Sequence, residues 1–378
     1  MNSTALTIVD VDQHELLISR IREALAGGDA VLPFAEETRE SAEMFAQIHP
    51  VVAEGLALVI RTSGSTGTPK AVGLSASALV SSAEATLKVL GGPGQWLVAL
   101  SPQVIAGAQM IVRSILGETE PVFTSPHSDP ESFVAAANTL THARRYTSLV
   151  PVQLSRLLGT PASRDALRRF DAVLLGGQSA PIELLKEAEQ AGIRVIKTYG
   201  ASETSGGCVY DGFAIGNTQL RIHEGELWVA GSCLATGYLD DDELTASRFV
   251  SDGGTRWFLT HDAAAIRDGK LVIEGRLDNV FVSGGVKVSL DVLERLVQST
   301  PGWRGAVVIA VADQTWGERA VVISAADAEP SEPSFETLAA TIRAALGAAA
   351  VPIAHRVVPE IPLLPSGKPD RLALTKHR

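Results

Sequence analysis

From residue 56 to about residue 200, short β-branched and aliphatic runs alternate with longer stretches whose apolar positions recur at helical spacing. ALVIR, QWLVALS, RYTSLV, DAVLLGG and RVIKTYG predict strands. SASALVSSAEATLKVL, AGAQMIVRSIL, VQLSRLL and PIELLKEAEQAG predict the helices between them. Such alternation predicts a largely parallel, helix-covered sheet. Pro181 suits the first turn of the last helix and Gly192 its end. Between about 220 and 275 the pattern changes to strands without long helices. GELWVAG, TRWFLTHD and AAAIRDGKLVIEGR read as antiparallel, with Asp268-Gly269 as a two-residue hairpin turn. After GRLDN, helices at LDVLERLVQST and SFETLAATIRAAL and strands at AVVIAVA and RAVVISA predict a smaller α+β unit. The predicted class is α/β. A large N-terminal domain over 1–277 combines a mixed, mostly parallel sheet with antiparallel strands, and a small α+β domain occupies 278–378.

Composition narrows the function more than the fold. A chain of 378 residues, 46% hydrophobic and 20% charged, suits a soluble protein with two cores. Its net charge of -11 argues against a nucleic-acid partner, which needs a basic face. Small anions remain open, because a few local cations suffice for them. Cys208 and Cys233 show neither CxxC spacing nor a nearby histidine, so two buried thiols are expected and no zinc site or disulfide framework. MNSTALTIVDVDQHE has no basic start and no apolar core, so no signal peptide is expected. No apolar run approaches a membrane span, so no membrane insertion is expected and a cytoplasmic enzyme is the default.

The densest candidate chemistry is TSGSTGTPK, residues 62–70. A Walker loop carries a hydroxyl residue after its lysine and opens into a helix. Here Lys70 is followed by Ala71-Val72-Gly73-Leu74, which reads as a strand, so the loop is expected at a hairpin tip. Backbone amides with the hydroxyls of Thr62, Ser63, Ser65, Thr66 and Thr68 can wrap phosphates, and Gly64 and Gly67 allow close approach. Lys70 adds a point charge; a hairpin tip without a ligand is the competing reading. Ligands of open α/β sheets sit beyond the carboxyl ends of strands. This loop, GGQSA after AVLL, and YGASET after VIKT all fall there, so one crevice is expected.

TSGSTGTPK (62–70), TYGASET (198–204), GRLDN (275–279) and PSGKPDR (365–371) occur in the order found in acyl- and aryl-adenylate-forming enzymes, and the chain resembles that superfamily from about residue 56 to its end. TSLVPVQLSRLL, LLGGQSAPIELL and TYGASETSGGCVYDG further resemble the o-succinylbenzoate–CoA ligases of menaquinone biosynthesis, in their compact actinobacterial form. The loop at residue 62 begins early for the superfamily, so the first subdomain is expected to be truncated, as in the compact ligases. The resemblance implies adenylation of a small-molecule carboxylate by ATP with Mg²⁺, then acyl transfer to coenzyme A. It also implies roles. Tyr199 with Gly200 would stack on adenine, Thr204 would bond the α-phosphate, and Glu203 would help hold Mg²⁺. Gly176, Gly177 and Gln178 would lie along adenine, although a strand-to-helix turn is a fair rival there. Asp262 would take the ribose hydroxyls with support from Arg276, and Lys368 would reach the α-phosphate and the attacking carboxylate. Asp278 would be the hinge of a mobile C-terminal lid. Gly284 and Gly285 would line a pantetheine channel, against a plain Gly-Gly turn, and Lys287 would meet CoA phosphates. A homodimer is allowed by the resemblance.

Two departures bear on substrate. His261 stands where the superfamily has glycine before the ribose aspartate, and Gln103-Val104 replace an aromatic or His–His pair in the segment bordering the acyl pocket. A dicarboxylate needs a cation or several hydroxyls for its second carboxylate. Arg113 is one candidate, against an arginine that snorkels from an amphipathic helix. Ser205, Gly206 and Gly207 are the stronger candidates for the pocket wall. A CoA ligase for another aryl or acyl acid, and a non-catalytic AMP-binding homologue, are the alternatives.

Overall fold

Strands Leu56–Thr62 and Lys70–Ser75 pair antiparallel with Thr62 opposite Lys70, so the hydroxyl-rich stretch does join two strands of a hairpin. The computed structural model describes residues 3–62, 70–124, 129–326, 334–364 and 367–376, so Ser63, Gly64, Ser65, Thr66, Gly67 and Thr68 lie outside the described residues. Contacts divide the chain into two units. The first comprises Met1–Gly177, Glu187–Arg221 and Trp228–Thr260; the second comprises Gln178–Lys186, Ile222–Leu227 and His261–Arg378. The last stretch of the second unit starts at His261, within the continuous strand Thr255–Arg267. Polar His261-Asp262 divides that run in the sequence, but the strand continues and folds back through Asp268-Gly269 onto Lys270–Arg276. Both turn residues have positive φ, 51° and 74°, as a two-residue hairpin of this kind requires.

The first unit holds two sheets. In one, the order is Gly237–Leu239, Lys70–Ser75, Leu56–Thr62, Ala30–Phe34, Ser3–Asp10, Val51–Ala53. In the other it is Phe213–Ala214, Gly206–Tyr210, Val195–Ala201, Ala172–Leu175, Arg145–Leu149, Gln95–Val98, Val122–Phe123. From Val195–Ala201 to Val122–Phe123 every pairing in this second sheet is parallel, as the alternation predicts. Ala172–Leu175 and Gln95–Val98 are buried along their whole length, which suits strands covered on both faces. Helices Ala76–Leu90 and Ile105–Leu116 pack on one another and on Gly206–Tyr210. Ser75 caps the first of them by accepting from Ala78 N.

In the second unit, hairpin Val280–Ser283/Val286–Ser289 extends a sheet with Gly317–Ala325, Val307–Asp313 and Ala354–Val358. Helices Leu290–Ser299 and Phe335–Leu346 bury Leu293, Val297, Leu338 and Ile342 against Phe281, Trp303, Val308 and Val322. Ser289 and Ser334 cap these helices. No helix among the described residues is long and apolar enough to cross a membrane.

Candidate active site

In the first unit the candidate residues collect where parallel strands end. Gly176 and Gly177 follow Ala172–Leu175, and Tyr199 and Gly200 finish Val195–Ala201. A bulge between Tyr199 and Gly200 shifts the register against Gly206–Tyr210. Gly200 is required there: a Cβ would lie 2.0 Å from the Gly206 carbonyl oxygen. Gln178 belongs to the second unit.

The 3-10 turn Ser202–Thr204 follows directly. Thr204, 1% exposed, accepts from Ala201 N at 2.9 Å and lies 2.7 Å from the Gly206 carbonyl oxygen, to which it donates. The hydroxyl expected at a phosphate also braces its own turn. Glu203 accepts a hydrogen bond at Oε1 from the Tyr238 hydroxyl, at 2.8 Å. Lys70 lies over the same Tyr238 ring, 5.7 Å from its centroid. No group of three or more His, Cys, Asp or Glu that could hold a metal occurs among the described residues. One carboxylate fits a magnesium ion that also takes phosphate oxygens, the arrangement that ion favours.

The first unit also buries a cation. Arg113 is 3% exposed on helix Ile105–Leu116 and stacks 4.9 Å over the Trp96 ring. It does not snorkel, because the helix is buried from Gly107 through Ser114. Its Nε–H is buried without a hydrogen-bond partner. Desolvation pulls its pKa down; Tyr210 alone opposes this, and no carboxylate contributes. One turn earlier, Gln109 donates to the Ser205 carbonyl at 2.8 Å, so the helix holds Ser205, Gly206 and Gly207 beside the guanidinium's own face. The Gln109 Oε1 is also buried and unpartnered. Gln103 turns elsewhere, toward Thr38 and Glu37.

The second unit carries a separate constellation. His261 keeps the left-handed backbone, φ 59°, that a glycine would take freely. Glu226 holds it there, accepting from the His261 backbone N–H at 2.8 Å and lying 2.8 Å from Nδ1. Asp262 is paired across the hairpin with Arg276, whose Nη1 lies 3.4 Å from Oδ1. Arg276 also grips Asp278 with two donors, at 2.7 and 2.9 Å. That guanidinium holds the Asp278 carboxyl below the usual range. Lys368 lies in a tight loop closed by Leu364 N donating to its carbonyl at 2.7 Å. The residue as a whole is exposed, yet its ammonium pKa is lowered, first by desolvation and then by Arg276. Asp262 and Asp291 pull the other way, so Lys368 shares its electrostatic surroundings with the expected ribose aspartate.

The loop is anchored by a residue that sequence reasoning did not single out. Arg371 Nη2 donates to both oxygens of Glu294, each at 2.7 Å, and Val308 N donates to the same carboxylate at 2.8 Å. Burial pushes Glu294 above the usual carboxylate range even though Arg371 pulls it down. Arg371→Ala leaves that charge without its partner, so we expect a loss of about 2 kcal/mol, between a surface pair and a fully buried one. Urea denaturation of the variant measures it. The adenylation rate should fall with it, and Arg371→Lys should recover only part of each. Gly284 and Gly285 form the turn of Val280–Ser283/Val286–Ser289, with φ 57° and 82°, and Lys287 follows it, exposed. Trp316 lies against Gly284, where a Cβ would meet its ring at 2.6 Å. Positive φ suits glycine at both positions.

The chain is similar to known proteins. Residues 4–239 match the model of the AMP-binding enzyme family, and residues 293–368 match that of the AMP-binding enzyme C-terminal domain. The chain is 37% identical to a "Probable 2-succinylbenzoate--CoA ligase" of Mycobacterium tuberculosis, over 96% of this chain and 95% of that one. It is 34% identical to the 2-succinylbenzoate–CoA ligase of Escherichia coli, over 71% of this chain and 58% of that longer protein. A solved structure of an E. coli MenE variant with bound OSB-AMS superposes with a TM-score of 0.73 at 25% identity, covering 92% of this chain and 82% of the other.

Proposed function

This chain belongs to the AMP-binding enzyme family, and we propose that it is an acid–thiol ligase converting o-succinylbenzoate to o-succinylbenzoyl-CoA at the expense of ATP. Likeness over nearly the full length of a relative named for that acid supports the reading. One observation carries it: Arg113 is a buried cation that meets no carboxylate among the described residues. Burying an unpaired charge is costly, and an incoming anion offsets that cost. A substrate with two carboxylates supplies one for reaction and a second for Arg113.

In the first half-reaction a carboxylate oxygen attacks the α-phosphorus of ATP, and the bond to pyrophosphate breaks. Two anions must meet, so placed positive charge lowers the barrier directly. Lys70 and the adjoining loop serve the triphosphate, Tyr199 and the Gly176–Gly177 turn serve adenine, and Asp262 with Arg276 serves ribose. Lys368 serves the reacting groups. Glu203, together with phosphate oxygens, would hold Mg²⁺, which would supply charge neutralisation at the triphosphate. In the second half-reaction the CoA thiolate attacks the acyl carbon and AMP leaves. The Gly284–Gly285 turn and Lys287 serve CoA, after a turn of the chain at Asp278. The protein works in the cytoplasm, alone or as a homodimer.

ATP–pyrophosphate exchange across a panel of acids tests the reading. Exchange should depend on o-succinylbenzoate and fall at least tenfold when its second carboxylate is esterified. Exchange with a benzoate or fatty acid alone would replace the substrate. No exchange with any acid would leave a nucleotide-binding module.

A further inference from the structure

Glu203 is held at two points by one short run of chain. Its backbone carbonyl accepts from Ala235 N at 2.8 Å, and its Oε1 accepts from the Tyr238 hydroxyl at 2.8 Å. That run is itself fixed on several sides. Thr236 N donates to Gly73 O at 2.9 Å, and Arg256 donates to the carbonyls of Ala235 and Thr236 at 2.8 and 2.7 Å. Tyr238 N donates to Thr245 Oγ1 at 2.9 Å, and Gly237–Leu239 pairs with Ala71–Gly73. Tyr238 is 6% exposed, and Lys70 rests over its ring. A single phenol therefore stands between a carboxylate and a cation. Glu203 and Lys70 form no ion pair among the described residues, although both contact Tyr238.

We propose that Tyr238 is a positioning residue for the divalent cation of the adenylation step. By donating to Oε1, it fixes the carboxylate and leaves Oε2 for the metal. Its ring keeps Glu203 from swinging onto Lys70, where the two would neutralise each other and serve neither metal nor phosphate. A preset carboxylate binds its cation without first losing rotamer freedom or breaking an ion pair. The inference rests on the reading of Glu203 as the metal-holding carboxylate.

Tyr238→Phe removes the hydroxyl but keeps the ring under Lys70 and against Phe249, 5.8 Å away between centroids, so folding should survive. At fixed ATP, the Mg²⁺ concentration giving half-maximal pyrophosphate exchange should rise about five- to tenfold, the scale of one typical hydrogen bond's net contribution. Thermal shifts give a readout independent of turnover. The extra stabilisation by ATP with Mg²⁺ over ATP with EDTA should shrink in Tyr238→Phe, while the shift with ATP and EDTA stays the same. Glu203→Gln is measured alongside. If Glu203→Gln shifts the Mg²⁺ requirement and Tyr238→Phe does not, the positioning role is overturned and the metal reading stands. If neither variant shifts it, the metal reading falls and takes the inference with it. Tyr238→Leu checks for a variant that merely loosens the fold: it should also raise the KM for ATP, because Lys70 loses its support. An equal loss with and without Mg²⁺ in both Tyr238 variants would mean a structural role only.

Discussion

Lys368→Ala should abolish acyl-adenylate formation, by at least about 10²- to 10³-fold, while thioester formation from a supplied acyl-adenylate changes less than about threefold. The magnitude is that of removing one preorganised charge from a site where negative charge develops. Thioester formation from the adenylate requires no approach of two anions at the α-phosphorus, so it does not need this ammonium. The lowered pKa of Lys368 adds a signature. A lysine pKa below its ordinary value means that the free protein loses the proton sooner as pH rises. The kcat/KM for ATP in adenylation should therefore decline at a pH below the ordinary lysine range, and this limb should vanish in Lys368→Ala. Rapid-quench assays of the two half-reactions measure both effects. Equal damage to both halves would contradict a lysine that serves only the first.

Arg113→Met should separate stability from activity. The guanidinium is desolvated and lacks a carboxylate, so a methionine of similar length removes an unpaired buried charge. The lost stacking on Trp96 works against this at roughly 2 kcal/mol, less than the several kcal/mol of an unpaired charge. The melting temperature should rise by a few degrees. Meanwhile kcat/KM for o-succinylbenzoate should fall by about 100-fold, as expected for truncating one partner of a buried charge pair. A monocarboxylate analogue should be used by Arg113→Met at least as well as by the parent. Calorimetry and steady-state kinetics check both halves. A lowered melting temperature with unchanged substrate discrimination would make Arg113 a packing residue.

Periodicity carried the central elements well. Ala76–Leu90, Ile105–Leu116 and the parallel strands from Gln95 to Ala201 follow runs whose hydrophobic spacing has one interpretation. Before residue 56 it was not read: Ser3–Asp10 mixes polar with apolar positions, and Pro33 interrupts Ala30–Phe34 as a strand signal. The candidate site was legible as a set of residues but not as a set of partnerships. Glu203 meets Tyr238 at a separation of 35 residues, and His261 meets Glu226 at the same separation. Neither pairing leaves a trace in local spacing. Thr204 adds a local case, since a hydroxyl at a sharp turn also bonds the nearest backbone groups. Arg113 was ambiguous because its helix looks amphipathic in one dimension and is enclosed in three.

Arg276 and Asp278 stand two residues apart, and their two-pronged clasp bridges the very bonds about which a pivot would swing. Rotation there must snap both contacts or carry them along as a rigid link. If Asp278 is the proposed pivot, that clasp would act as a detent, and ionic strength should then tune how quickly the chain turns there, independently of how tightly either orientation holds its ligand.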